Sequence, residues 1–146
     1  MIGRADVVAE ARRWIGTPYL HQASAIGAGA DCLGLLRGLW RTLIGAEPQR
    51  VPAYTTDWSE PSGQEDLLGA ARRWLTEKSM ADAAPGDVIL FRMREGFVAK
   101  HIGIVAQTGD LPSFIHAYTG HGVVESALSL PWARRIAGRF AFPKGA

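Results

Sequence analysis

Cysteine is almost absent from this chain: of 146 residues only Cys32 carries a thiol. A lone cysteine excludes an internal disulfide, so the fold must rest on packing alone and the redox compartment stays open. Long apolar runs are missing as well. No segment approaches the roughly 20 consecutive apolar residues that cross a bilayer, which excludes a membrane-inserted helix. The opening residues, Met1-Ile2-Gly3-Arg4-Ala5-Asp6, lack the basic stretch, apolar core and small-residue cleavage site of a secretion signal, so the chain is expected to be made in the cytoplasm without one. An excess of either charge is lacking too: 16 Lys and Arg stand against 14 Asp and Glu, a net of +2. The basic residues come as scattered pairs (Arg12-Arg13, Arg72-Arg73, Arg134-Arg135) rather than as a block. That distribution argues against nucleic-acid binding; each pair reads as a solvated face, with contact to a substrate carboxylate as the alternative.

What is present is enough for a core. At 47% hydrophobic and 21% charged residues, with no internal repeat or low-complexity tract, the chain reads as one globular domain over residues 1–146. Val7, Val8, Ala11, Trp14 and Ile15 recur at helical spacing over residues 6–15 before Gly16 and Pro18 stop the helix. After a glycine-rich loop, Leu35, Leu36, Leu39, Trp40, Leu43 and Ile44 define a second helix that ends at Gly45. Its head is Cys32, with Asp31 as the N-cap. The stretch Glu47 to Gly63 reads as a surface loop, and Ser62 with Glu65 as a capping box for a third helix carrying Leu67, Leu68, Ala71, Trp74 and Leu75. Past Pro85-Gly86-Asp87 the pattern turns to short β-rich runs at 88–91, 101–107, 113–118 and 122–126, with a weakly alternating tail at 135–142. Helices first and strands second is an α+β order.

A thiol at a helix head faces unsatisfied N–H groups and the positive end of the helix dipole, both of which favour the thiolate. The bland reading is a small buried hydrophobe. Two of the four histidines, His101 and His116, fall in predicted strands joined by a turn at Thr108-Gly109-Asp110. An even-numbered loop centred on 108 and 109 would set them directly opposite, with Cβ atoms about 4.5–5.5 Å apart on one face. Pro112 cannot donate to a ladder, so that arm is expected to be an edge or to carry a bulge. Presented to the head of the Cys32 helix, one imidazole would take the thiol proton, forming a thiolate–imidazolium pair, and the other would orient it. Two bland readings compete: strand histidines satisfied by the backbone, and zinc ligation. The zinc reading lacks a close-spaced ligand pair and a fourth ligand, so no metal is expected. His121, between two glycines, reads as a turn residue, and His21 belongs to the loop leading to Cys32.

The stretches Gly16-Thr17-Pro18-Tyr19, Asp31-Cys32 before an apolar helix, Pro85-Gly86-Asp87-Val88-Ile89-Leu90-Phe91, His101-Ile102-Gly103-Ile104-Val105 and Phe114-Ile115-His116-Ala117 occur in that order. Together they resemble the NlpC family of bacterial cell-wall cysteine peptidases over nearly the whole chain. The resemblance implies a papain-like α+β fold, with N-terminal helices, the nucleophile at a helix N-terminus, and a C-terminal antiparallel sheet. It implies Cys32 as nucleophile, His101 as general base and His116 as the orienting third residue. Tyr19, Asp31, His21 and Gln22 are the implied substrate-binding residues, and no cofactor is implied. Leu33 stands where many members carry serine, and the loop between the histidines is longer than usual.

The run Tyr19-Leu20-His21-Gln22-Ala23-Ser24, followed by Asp31-Cys32-Leu33-Gly34-Leu35, resembles the subset encoded in phage and gene-transfer-agent tail clusters, in which Leu33 is not unusual. The implied substrate is the peptidoglycan stem peptide, cut by analogy between D-glutamate and a diamino acid. The implied partners are phage-like tail or baseplate proteins, whose particle would carry the enzyme to the periplasmic wall. Two alternatives stay open at this stage: a structural tail component with an inactive or occluded site, and a thioester acyltransferase.

Overall fold

The polypeptide is described by a computed structural model at residues 3–48 and 64–143. Helix α1 (Arg4–Arg13) leads to a two-stranded ribbon of β1 (Ser24–Ala25) and β2 (Gly29–Ala30), then α2 (Cys32–Leu43) and α3 (Asp66–Trp74). After these come β3 (Thr76–Lys78), β4 (Val88–Arg92), β5 (Ala99–Gln107), β6 (Ser113–Tyr118), β7 (Gly122–Ala127), the short helix α4 (Leu130–Ala133) and β8 (Ile136–Ala141). The larger strands form a six-stranded antiparallel sheet in the order β3-β8-β4-β5-β6-β7. This is the α+β architecture expected from the order of the patterns.

Helix α1 starts earlier than its apolar stripe suggests, because Asp6 accepts a hydrogen bond from the Gly3 N–H (2.8 Å) at the helix start. It also stops earlier. Trp14 is the buried C-cap and Ile15 is exposed, since Gly16 adopts a left-handed φ and gives its N–H to Val123 O. Glu65, expected at the third position of α3, is instead its N-cap, and its carboxylate reaches across to the Ala99 N–H and to Arg92, tying α3 to the sheet. Ser62, the other half of the expected capping box, lies outside the described residues, as does most of the expected loop between Glu47 and Gly63.

The sheet is covered on both faces, which explains why β4 is an uninterrupted apolar run. Val88 and Leu90 join Ile102, Ile104, Ile115, Ala117, Val123 and Phe140 against the helices. Ile89 and Phe91 join Val105 and Phe114 on the other face, in a smaller cluster closed by Met93, Leu128, Trp132 and Ile136. The weak tail strand is not peripheral: β8 lies between β3 and β4. Strand β3, a polar three-residue edge right after α3, has no apolar alternation by which to find it in the sequence.

Asp87 holds this corner of the sheet together. Its buried carboxylate takes Lys78 Nζ at 2.6 Å, Arg139 NH1 at 2.9 Å and the Ala84 N–H at 2.8 Å, joining β3, β8 and the turn that enters β4. Removing the one anion would leave two buried cations facing each other. Asp87→Ala is expected to lower unfolding free energy by about 3–5 kcal/mol in urea denaturation; a loss below about 1 kcal/mol, the range of an exposed pair, would contradict this role.

Candidate active site

The position of Cys32 is set by Asp31. This residue caps α2 from an extended backbone, its Oδ1 accepting the Gly34 N–H and its Oδ2 the Gln22 N–H, both at 2.7 Å. One carboxylate therefore clamps the preceding loop to the first turn of the helix. The loop lies so close that a Cβ on Gly34 would stand 1.8 Å from Ala23 O. Only glycine permits that approach. Gln22 is the one non-glycine residue with a left-handed φ (65°) among the described residues, a turn that aims its N–H at Asp31.

Cys32 opens α2 and is partly buried. Its Sγ donates to Lys100 O at 3.8 Å and accepts from the Ile102 N–H, the two backbone groups on either side of His101. Because Val105 N–H bonds Asp87 O on the β4 side, alternation along β5 turns the Lys100 carbonyl and Ile102 N–H toward β6. The last β5–β6 ladder pair is Ile104–Ile115, so the thiol fills the ladder positions just beyond it, on the strand that carries His101.

The histidines share a face, as the strand parity requires, but they are not directly opposed. The ladder pairs Ile104 with Ile115 and Val105 with Phe114, two residues out of the expected register, so that His116 faces position 103. A shift of two preserves the face. The Pro112 arm is neither an edge nor bulged: Pro112 precedes β6, an interior strand, and the bulge lies on the other arm, β5, between Val105 and Gln107. His101 and His116 therefore meet along a diagonal, with Nε2 of His101 2.8 Å from Nδ1 of His116. Gly103, opposite His116, leaves room for the rings beside the pair, since a Cβ there would stand 2.7 Å from Phe114 Cδ2 and 3.2 Å from Phe91 Cε2. On its far side, His116 Nε2 lies 2.9 Å from Ser126 Oγ. Trp132 roofs the pair, its ring centroid 5.7 Å from His101 and 5.3 Å from His116.

A cysteine at the head of a capped helix thus lies against a histidine strand, with a second histidine behind the first. The family model for NlpC/P60 matches residues 16–139. The chain belongs to the NlpC/P60 family. It is 28% identical over 135 residues to the gamma-DL-glutamyl hydrolase of Bacillus subtilis (strain 168), covering 90% of this chain and 28% of that protein. It is also 28% identical over 123 residues to the murein DD-endopeptidase MepS/murein LD-carboxypeptidase of Escherichia coli (strain K12), covering 84% of this chain and 54% of that one. The chain thus spans from about a quarter to about half the length of these curated relatives. Among solved structures, the NlpC/p60 domain of the peptidoglycan hydrolase SagA superposes with a TM-score of 0.67 at 22% identity, covering 97% of this chain and all of that one.

Other members of the site fall around this NlpC/P60 core. Tyr19 bridges to Ala30, packs beside Cys32 and hydrogen-bonds the Thr119 side chain; burial, opposed by that bond and helped by the nearby Cys32 and Asp31, pushes its phenol up. His21 and Gln22 flank Asp31, with the His21 Nδ1 3.7 Å from Asp31 Oδ2 and the Gln22 amide 3.2 Å from the other ring nitrogen. Asp31 lies beneath them. It is buried and both its oxygens accept backbone N–H groups, which gives it an architectural part at the head of α2. His121 is an exposed turn residue stacked on Tyr118. Ser126 and Trp132 were not singled out from the sequence. Alternation along β7 puts Ser126 on the histidine face, a signal available in principle, whereas the placement of Trp132 has no local signature.

Burial governs ionisation here. The thiol is pushed up to about 12, because burial and the Asp31 carboxylate outweigh the N–H groups of Ile102, Leu33 and Cys32. The same desolvation, aided by the charges of its neighbours His116 and Lys100, takes His101 down to about 3, and with His121 it takes His116 down to about 4. Burial thus works against the charged form of the thiol and of both imidazoles, the opposite direction to the helix-head N–H groups that favour a thiolate.

Unfolding returns both rings to their ordinary value near 6.5, so below that pH the unfolded chain binds protons that the native one refuses. Stability is expected to be full above pH 7 and to fall by about 2–4 kcal/mol by pH 5, on the scale of 1.36 kcal/mol per pKa unit. Urea unfolding at the two pH values measures the loss, and imidazole NMR titrations of His101 and His116 should stay flat across that range. Midpoints near 6.5 in those titrations would overturn the assignment.

Proposed function

We propose that this chain is a cysteine peptidase that hydrolyses an amide bond in the peptide stem of peptidoglycan. The observation that carries the reading is the line from Cys32 to β5 to the 2.8 Å His101–His116 hydrogen bond. Similarity to relatives named for hydrolysing gamma-glutamyl and murein bonds supports the substrate class.

Because burial and Asp31 disfavour the free thiolate, proton transfer to His101 accompanies attack. Cys32 Sγ adds to the scissile carbonyl carbon while its proton passes to His101, and the carbonyl oxygen becomes an oxyanion facing the Cys32 N–H at the head of α2. His101 returns that proton to the leaving amine as the C–N bond breaks, which leaves a thioester on Cys32. Water then attacks the thioester carbonyl, His101 takes the water proton and delivers it to the departing sulfur, and a carboxylic acid is released. His116 orients His101 throughout, and Tyr19 lines the approach to the sulfur.

The finer reading is cleavage between D-glutamate and a diamino acid, supported by the family resemblance and the gamma-glutamyl relative. Digestion of purified peptidoglycan followed by mass spectrometry tests it. Wild type should release fragments with a new amino terminus on the diamino acid and the mass of one added water. Cys32→Ala and His101→Ala should lose activity by about a thousand-fold or more, and His116→Ala by less. Equal product from all four proteins would refute the peptidase reading, and an added amine in place of water would convert it to acyl transfer.

The tail-particle setting remains part of the proposal, supported by the Tyr19–Ser24 and Asp31–Leu35 runs. Mass spectrometry of purified phage-like particles from the producing cells should find this chain in the tail fraction. Its presence only in particle-free supernatant or cytosol would count against that setting.

A further inference from the structure

We propose that Ser126 is a positioning residue, whose hydroxyl accepts the Nε2 proton of His116 and thereby selects the tautomer in which His101 offers Nδ1 as the proton acceptor for Cys32. The inference rests on the peptidase reading above and deepens it. His101 Nε2 is engaged by His116 Nδ1, so only its Nδ1 remains for the thiol. To accept a proton there, neutral His101 must carry its own proton on Nε2 and donate it to His116 Nδ1. His116 Nδ1 must then be bare, which places the His116 proton on Nε2, and the atom waiting there is Ser126 Oγ at 2.9 Å.

The alternative tautomer reverses every bond. His116 would donate from Nδ1 to His101 Nε2, His101 would present an Nδ1–H to the thiol, and transfer could not occur. A serine hydroxyl can accept from His116 or donate to it, but accepting leaves its own proton for another partner and matches the catalytic direction. An alanine would accept nothing, leaving the Nε2–H unsatisfied beside Phe114 and Trp132, whose ring centroids lie 4.2 and 5.3 Å from the His116 ring. The arrangement also needs no reshuffling during turnover. When His101 takes the thiol proton at Nδ1, its Nε2–H is already donated to His116.

Topology supports a built line rather than a chance contact. On β7, Ser126 pairs with Phe114 and Val124 with His116, so Ser126 reaches His116 along the same kind of diagonal that joins His116 to His101. The three side chains run obliquely across β5, β6 and β7 on one face of the sheet.

The test uses the full chain, wild type beside Ser126→Ala and Ser126→Thr, with two readouts. In substrate-free protein labelled with 15N-histidine, long-range 1H–15N spectra report the tautomer of each ring. Wild type and Ser126→Thr should show His101 and His116 protonated at Nε2, whereas Ser126→Ala should show a mixture. On peptidoglycan fragments, Ser126→Ala should lower kcat about 10-fold with KM changed by less than about two-fold, and Ser126→Thr should restore kcat. Unchanged tautomers in Ser126→Ala would overturn the inference, as would a loss carried by KM or one that threonine does not rescue. If wild type itself leaves peptidoglycan intact, the peptidase reading fails, and the spectra still decide the role of Ser126.

Discussion

The arrangement depends on a single carboxylate that accepts two backbone hydrogen bonds from opposite sides. Through Asp31, the left-handed turn at Gln22 and the first turn of α2 become one rigid unit, and Gly34 lets them close to contact distance. The same unit is anchored further out, where Thr17 accepts the Gly27 N–H on its hydroxyl and the Val123 N–H on its carbonyl. The consequence is positional: Cys32 cannot leave the edge of β5 without breaking the cap. A carboxylate this close also has an electrostatic effect, raising the thiol that it positions. Placement and activation therefore oppose each other, and the structure favours placement.

That opposition explains the division of labour across the sheet. A buried thiol needs a base that is itself unprotonated, and desolvation of His101 and His116 under Trp132 supplies one down to acidic pH. The ring cage of Phe91, Phe114 and Trp132 is thus electrostatic as well as structural. On the opposite face, apolar side chains from the same strands pack against the helices, so neither the sheet nor α2 can shift independently. Asp87 adds the corresponding constraint at the far corner, where a buried anion between two cations ties β3 and β8 to the entrance of β4.

Much of the site was legible because it follows local rules. A cysteine after Asp31 and ahead of an apolar helix reads as a helix head, since capping depends on residues within one turn. His101 and His116 read as sharing a face, since strand periodicity is two and the actual register slip was also two. The diagonal contact was not legible, because it depends on a bulge near Ala106 and on the room Gly103 leaves for the rings beside the pair. Nor was the interior place of β8, whose weak alternation says nothing about which strands it joins. The second bond of Asp31 was not legible either, because its partner is a residue nine positions earlier, reached through a turn with no regular pattern.

By itself, then, the order of residues determined the α+β class, the helix that carries Cys32, and the common face of the two histidines, all of which arise from interactions spanning a few residues. Tertiary structure alone decided which backbone groups hold the sulfur, that His116 is bonded to Ser126, and that burial opposes charge on the thiol and imidazoles alike. The physical reason is desolvation: a proton's preferred atom depends on what surrounds the group in three dimensions, and those surroundings come from four strands, β4 to β7, and a tryptophan distant in the chain.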